Sequence, residues 1–323
     1  MKKYLILIIT ILSLGMIWSC DVTETKQNGD VEDTILNLIL TDNAGAEFEG
    51  FENEDDFSLS KNPDETQVES AVEVDRVRDS SYVWRFGRTA MHREREITVE
   101  IEDDTSALAL ISNHITGIFH VRQFNRLWTS DSTWERGDSV QFSHKPIDFN
   151  LNQHVVYHKR INAEGEEQWK KMSSTLAYGS SSEAISIQSL GWVRQDSLLV
   201  MENFGENFYT KSRALLSHLL RSRQLQLTVS NSASDTPDLV KASLIYVPQT
   251  GRILRKRFGL GFNETLESGA NLYSRRLAQI DFVPQIIKGT IEVIDARTLF
   301  DHSFTEYASA TVAYSFQVRQ RQQ

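Results

Sequence analysis

From Val72 onward the chain keeps returning to a two-residue period of apolar and polar side chains. Val72-Glu73-Val74-Asp75-Arg76-Val77 alternates, Tyr82–Phe86 follows, and Arg95–Glu102 places Ile97, Val99 and Ile101 on one side. Successive strand side chains point to opposite faces, so this pattern builds half-buried strands. Asp103-Asp104 marks a turn before Ala107–Ile111. Ile115–Phe124 reads as a further strand or as the continuation of that one. Connections this short permit antiparallel pairing and leave no room for parallel crossovers. Val140–Leu151 and His154–Ile161 are expected as two strands joined near Asn150-Leu151-Asn152. Asn162-Ala163-Glu164-Gly165 reads as a hairpin turn with Gly165 at positive φ, and Gln168–Tyr178 as the returning strand.

Gly179-Ser180-Ser181-Ser182 reads as a linker, and it sets the expected domain boundary. Beyond it, strands are expected at Ala184–Val193, Leu198–Glu202, Gln224–Ser230, Leu239–Val247, Arg252–Phe258, Leu277–Phe282, Gly289–Asp295 and Ala310–Val318, with turns between them. Only two stretches have helical spacing. Val31–Thr41 carries Ile35, Leu36, Leu38, Ile39 and Leu40, with Asp33 as its N-cap. Lys211–Ser222 carries Ala214, Leu215, Leu219 and Leu220 and is expected to lie as a lid on the second core. Between them, Glu47–Phe57 interleaves six carboxylates with Phe48, Phe51 and Phe57. It lacks the ligand spacing of an EF-hand and reads as a solvated acidic loop.

The first twenty residues supply an address. Lys2 and Lys3 precede an apolar run from Tyr4 to Trp18, then Ser19 and the single cysteine, Cys20. Charged n-region, apolar h-region and small-residue cleavage site are the parts of a secretory signal. With Ile17-Trp18-Ser19-Cys20 in the place of a lipobox, the segment resembles a bacterial lipoprotein signal. That resemblance implies cleavage before Cys20, lipid on Cys20 and a membrane-anchored cell-envelope protein, outer membrane preferred over inner. Asp21 fits either membrane, and the face is left open. The domain plan is then 1–19 signal peptide, 20–32 lipidated cysteine and flexible tether, 33–179 an α+β antiparallel-sheet domain, and 184–320 a β-sandwich.

A cysteine used for lipid leaves none for a disulfide framework, a thiol nucleophile or a Cys-rich metal site. The net charge of −10 is unevenly spread. Asp21–Leu110 holds 24 acidic and 8 basic residues, whereas Ile111–Gln323 holds 20 and 24. The acidic membrane-proximal part argues against nucleic acid as a partner.

Two resemblances concern the fold. Arg95–Glu102, Ala107–Phe124, Ile147–Ile161 and Gln168–Tyr178, behind an N-terminal helix, are similar to the α+β cone of the NTF2-like superfamily. Such cones serve as anything from catalytic pockets to plain interaction surfaces. The seven to eight short strands of the second half resemble immunoglobulin-like bacterial surface modules, with GTIEVID and ATVAYSFQV as the closing strands. The expected class is mainly β: an antiparallel sheet with an N-terminal helix, followed by an Ig-like sandwich.

Chemistry-bearing patterns are few. There is no G-x-S-x-G elbow, and Gly259 and Gly261 in FGLGFNE lack the third glycine and the helix of a phosphate loop. His154 and His158 fall on one strand face about 13 Å apart, too far to share a metal. His120, His144 and His158 are the candidates for lining a pocket in the first domain. Trp128 and Trp134 flank a polar loop and are the candidates for stacking on a glycan or an envelope protein. No cofactor and no metal is expected. The leading expectation is a non-enzymatic binding or assembly module; the alternative is a small-ligand binder or hydrolase with a pocket in the first domain.

Overall fold

Three strands of unusual length organise the computed structural model, which describes residues 22–24, 30–41, 54–58, 82–128, 134–195, 197–210, 213–247, 254–277 and 286–317. A short β1 (Val22–Glu24) and β2 (Glu54–Ser58) precede them. The three are β3 (Tyr82–Asp103), β4 (Ser106–Trp128) and β5 (Trp134–Ile161), with 22, 23 and 28 residues. Strands usually run five or six residues. Tyr82–Phe86 and Arg95–Glu102 are thus one strand, as are Val140–Leu151 and His154–Ile161, and Asn150–Asn152 makes no turn. The alternation simply continues through these places, and β4 pairs with β5 on both sides of them. Pro146 is tolerated inside β5 because there β5 pairs with β4 alone among the described strands, so a missing N–H costs little.

A bulge lets so long a ribbon keep one consistent inner face. Between Thr89 and His92 the register with β4 slips by one residue, and Ala90 sits at φ 51°. The extra residue inverts the phase of β3. Even positions such as Phe86 and Arg88 are buried before it, and odd Ile97 is buried after it. On β4 the buried positions stay odd throughout, from Ala107 to Val121. A one-residue slip without the bulge would turn half of β3 inside out.

The two halves of that inner face cover different things. The upper half packs Ile97, Ala107, Ala109, Ile111, Val155, Tyr157 and Trp169 on Ile35, Leu36 and Ile39 of helix α1 (Asp30–Thr41). This helix begins three residues before the expected cap, so Asp33 lies inside it. The lower half packs Phe86, Ile115, Phe119, Val121, Ile147 and Phe149 against Leu239, Ile294, Leu299 and Tyr307 of the second half of the chain.

β1 pairs in parallel with β3 at Arg95–Ile97, and β2 pairs antiparallel with it at Arg85–Arg88. Val22–Glu24 is therefore strand where tether was expected, and Glu54–Ser58 is strand in or beside the expected acidic loop. The rest of that loop, and Val72–Val77, lie outside the described residues.

After β5, the turn at Asn162–Glu166 carries Gly165 at φ 85°, as expected, with the Asn162 side chain accepting from the N–H groups of Glu164 and Glu166. β6 (Glu167–Ser174) returns along β5, and β7 (Ala177–Ser180) crosses to a new partner. The expected linker is corrected here. Ala177–Ser180 pairs with β16 (Ser309–Gln317), and the Ser180 and Ser181 hydroxyls donate to the Ser309 and Tyr307 carbonyls. Gly179 is required by crowding: a Cβ there would stand 2.0 Å from the Asn150 carbonyl oxygen. Gly-Ser composition marks a close approach of two strands at this point, and the sheet runs through it from ribbon to sandwich.

The second half contains β8 (Ile185–Arg194), β9 (Ser197–Glu202), β10 (Tyr209–Thr210), helix α2 (Arg213–Arg221), β11 (Gln224–Asn231), β12 (Leu239–Val247), β13 (Leu254–Thr265), β14 (Asn271–Arg276), β15 (Ile286–Ile294), helix α3 (Ala296–Phe300) and β16. One layer runs β7-β16-β15-β12-β13 and the other β13-β14-β11-β8-β9. β13 belongs to both: it pairs with β12 up to Leu260 and with β14 from Gly261. Gly259 and Gly261, at this change of partner, are strand residues and not a loop. Trp192, Leu225, Leu227, Tyr273, Ile291, Val312 and Tyr314 fill the space between layers. Leu215 and Leu219 of α2 close it, and His218 Nε2 hydrogen-bonds to the Trp192 carbonyl at 2.8 Å.

β14 and α3 were not foreseen, and Leu277 follows β14 in no regular structure, with 278–282 outside the described residues. β12, β15 and β16 are buried on both faces, one toward the sandwich core and one toward the ribbon. The protein is thus mainly β and antiparallel, with a helix before its long curled sheet and a two-layer sandwich after it.

Candidate functional site

The inner faces of the ribbon are filled, so the accessible chemistry lies on its outer face. There the even positions of β4 stand opposite those of β5: Ile118 faces Pro146, His120 faces His144, and Arg122 faces Phe142. Directly opposed residues share a face, with Cβ atoms about 5 Å apart. Ile118, Val140 and Phe142 are 37%, 49% and 45% exposed. The His120 and His144 ring centroids are 4.6 Å apart and nearly perpendicular. Phe142 lies 4.2 Å from His144 and stacks on His120 at 5.7 Å. The Arg122 guanidinium rests 5.1 Å from the Phe142 ring.

Thr89 Oγ1 hydrogen-bonds to His120 Nε2. The other ring nitrogen, Nδ1, is buried and has no hydrogen-bond partner. Burial, then the His144 and Arg122 charges, hold His120 below the ordinary imidazole range. Farther along the same face, His114 meets Asp148 at 2.8 Å and His92 meets Glu94 at 3.2 Å, each pair exposed to solvent.

Of the three histidines expected to line a pocket, the structure unites two and leaves the third apart. His158 pairs in register with Ser106, fourteen positions along β5 from His144, about 45 Å at 3.3 Å per residue. His120 and His144 lie on the outer surface opposite buried Phe119 and Lys145, so they form no interior pocket. The phase of alternation decides this, and it is readable only once the strand limits are known. His154 is occupied elsewhere, with Nδ1 3.1 Å from the Gly205 carbonyl oxygen. The polar segment between Trp128 and Trp134 lies outside the described residues. The two tryptophans are the last register pair of β4 and β5, and their side chains lie outside the described residues, as does Cys20.

Three buried polar groupings escaped the sequence reading. In the first, Arg88 on β3 is bonded to Glu292 on β15 and donates to the Tyr307 hydroxyl at 2.8 Å. Tyr307 in turn donates to the other Glu292 oxygen at 2.5 Å. Burial pushes the Glu292 carboxyl up, but the Arg88 guanidinium, the Lys241 charge and the Tyr307 hydroxyl together outweigh it and hold the group below the usual carboxylate range. In the second, Lys145 Nζ donates to the Asp301 and Arg297 carbonyls at 3.0 and 3.3 Å, neutralising the C-terminal end of α3. Burial lowers this ammonium to about 8.

In the third, Asp295 N-caps α3 through the Arg297 N–H at 2.7 Å and pairs with the Arg297 side chain at 2.8 Å. Asn231 bridges Asp295 to Asp238, donating at 3.1 and 2.7 Å. Burial, together with the Asp295 charge, pushes Asp238 up to about 7. Each grouping ties segments distant in the chain together. A charged residue at an even position beside Phe86 was the available signal for Arg88.

No family model, curated protein or solved structure matches the chain. Among the described residues, no group of three or more His, Cys, Asp or Glu side chains is placed to hold one metal ion. Among them, too, no helix is long and apolar enough to cross a membrane. The outer face of β4 and β5 around His120, His144 and Phe142 is the candidate site.

Proposed function

We propose that the protein is a lipid-anchored, non-enzymatic binding module of the cell envelope that docks a partner protein on the outer face of β4 and β5. One contrast carries this reading. The inner ribbon face is lined by buried apolar side chains and by buried polar groups such as Arg88 and Lys145 that bond to the second half of the chain. The outer face of the same strands instead exposes Ile118, Val140 and Phe142 beside two imidazoles and Arg122. Aromatic and Arg side chains, with few carboxylates, are the composition of protein contact surfaces. Catalysis in a first-domain cavity has less support, since His120 and His144 stand on the outer face and His158 lies about 45 Å from them along β5.

The anchor fits the same picture. β1 begins two residues after Cys20 and is paired to β3 at Arg95, so a lipid on Cys20 would hold the ribbon within about 7 Å of its edge. In this reading the ribbon stands close to the bilayer and is not suspended on a long tether.

Two experiments test the two halves. A Cys20→Ala chain should lose incorporation of radiolabelled palmitate and membrane association; labelling that persists would remove the anchor. A photo-crosslinking residue in place of Phe142 should capture one discrete envelope protein in cells, and a Val140→Asp substitution should abolish the adduct. Adducts that are absent, or unchanged by Val140→Asp, would remove the docking face.

A further inference from the structure

We propose that His120 and His144 form a two-imidazole site for a borderline transition-metal dication such as Cu2+, Ni2+ or Zn2+, with its remaining positions open to water or to a donor from a docked partner. The two residues are register partners on adjacent strands, and their ring centroids are 4.6 Å apart. Two imidazole nitrogens bound to one ion at about 2.0–2.1 Å lie roughly 3 Å from each other. Rings this close reach that spacing by side-chain rotation alone, with the strands in place.

The surroundings favour coordination over a plain ring contact. The Thr89 hydroxyl engages His120 Nε2 and fixes the ring, the role that outer hydrogen-bond partners play for metal-bound histidines. That leaves Nδ1 as one of the buried polar atoms without a hydrogen-bond partner, and such an atom is costly to leave unmatched. A metal ion, entering from the side of exposed His144, would supply the missing partner.

The electrostatics select the class of ion. Among the described residues no carboxylate is bonded to either ring, and a pair of nitrogen donors suits Cu2+, Ni2+ and Zn2+ far better than Ca2+ or Mg2+. Arg122 is a charged neighbour of the pair, and its guanidinium rests on the Phe142 ring. A bound ion would also staple β4 to β5 in the middle of the exposed face. The site rests on intrachain geometry and is independent of lipid attachment and of any partner.

The test is Cu2+ binding by the full chain in detergent, followed by calorimetry and by electron paramagnetic resonance. The wild type should show nitrogen superhyperfine splitting from two imidazoles. Either His120→Gln or His144→Gln should weaken binding by about tenfold or more and leave a one-nitrogen signature. Because the chain has eight histidines, His114→Gln is the control; it removes an exposed imidazole on the same face and should change nothing. His144 is exposed, so its variant decides the matter if His120→Gln fails to fold. Two-nitrogen splitting that survives His144→Gln, or an equal loss in His114→Gln, would overturn the site.

Discussion

Arg88 and Glu292, 204 positions apart, form a buried ion pair that fastens the long ribbon to the central strand of the sandwich. Both side chains are nearly inaccessible, and Tyr307 closes the triangle between them. Removing one partner leaves a buried charge uncompensated, at a cost of about 3–5 kcal/mol. Arg88→Met and Glu292→Met should each lower stability by that order in urea unfolding. The double variant Arg88→Met/Glu292→Met should recover much of the loss, because the pair's desolvation is then removed together with its attraction. Additive losses in the double variant would show that the two side chains are not coupled.

Asp238 makes stability depend on pH in an uncommon direction. Its folded value of about 7 lies above the ordinary 3.8, so between about pH 4 and pH 7 the native state binds more protons than the unfolded state. Its contribution to stability therefore falls as pH rises through that window and levels off above about pH 7. The full span corresponds to roughly 4 kcal/mol at 1.36 kcal/mol per pH unit. Asp238→Asn keeps the Asn231 and Tyr273 neighbourhood without the charge, so its urea midpoint should vary less across pH 4–7 and exceed the wild type's at pH 8. A pH profile identical in the two proteins would refute the assignment.

Gly179 should not tolerate a side chain. A Cβ would stand 2.0 Å from the Asn150 carbonyl oxygen and 3.2 Å from the Leu151 Cα, both backbone atoms that cannot step aside. Gly179→Ala should cost about 2–3 kcal/mol or more, read as a fall in the urea midpoint. A true linker glycine would accept alanine without loss.

Ala90 offers the opposite case. At φ 51° its Cβ is strained by about 1–2 kcal/mol, which glycine would relieve at the cost of added freedom in the unfolded chain. Ala90→Gly should be neutral to stabilising by about 1 kcal/mol, and Ala90→Val should be clearly destabilising. Stability unchanged in Ala90→Val would mean that the bulge is not held as described.

The alternation in REITVEIE and QLQLTVS, and the hairpin at Gly165, were legible because each depends on neighbours within a few residues. The limits of the long strands were less so. Nothing local distinguishes the continuous Asn150–Asn152 from a turn, since only the pairing of β4 along that whole length keeps β5 extended. α3 is a single buried turn held by Asp295 and by Lys145 from another strand, too short for a helical period to reveal it.

The candidate site divides in the same way. His120, His144 and His158 were visible as residue types, but their grouping depends on strand register.

The sequence by itself determined most of the strand-forming segments, the two longer helices and the antiparallel class, because side-chain period and turn chemistry act over a few residues. The tertiary structure alone decided that Gly179–Ser182 joins sheets, that Arg88 meets Glu292, and that His120 faces His144 on an outer surface. Those are consequences of register and of a one-residue bulge, which are fixed by packing among segments far apart in the chain.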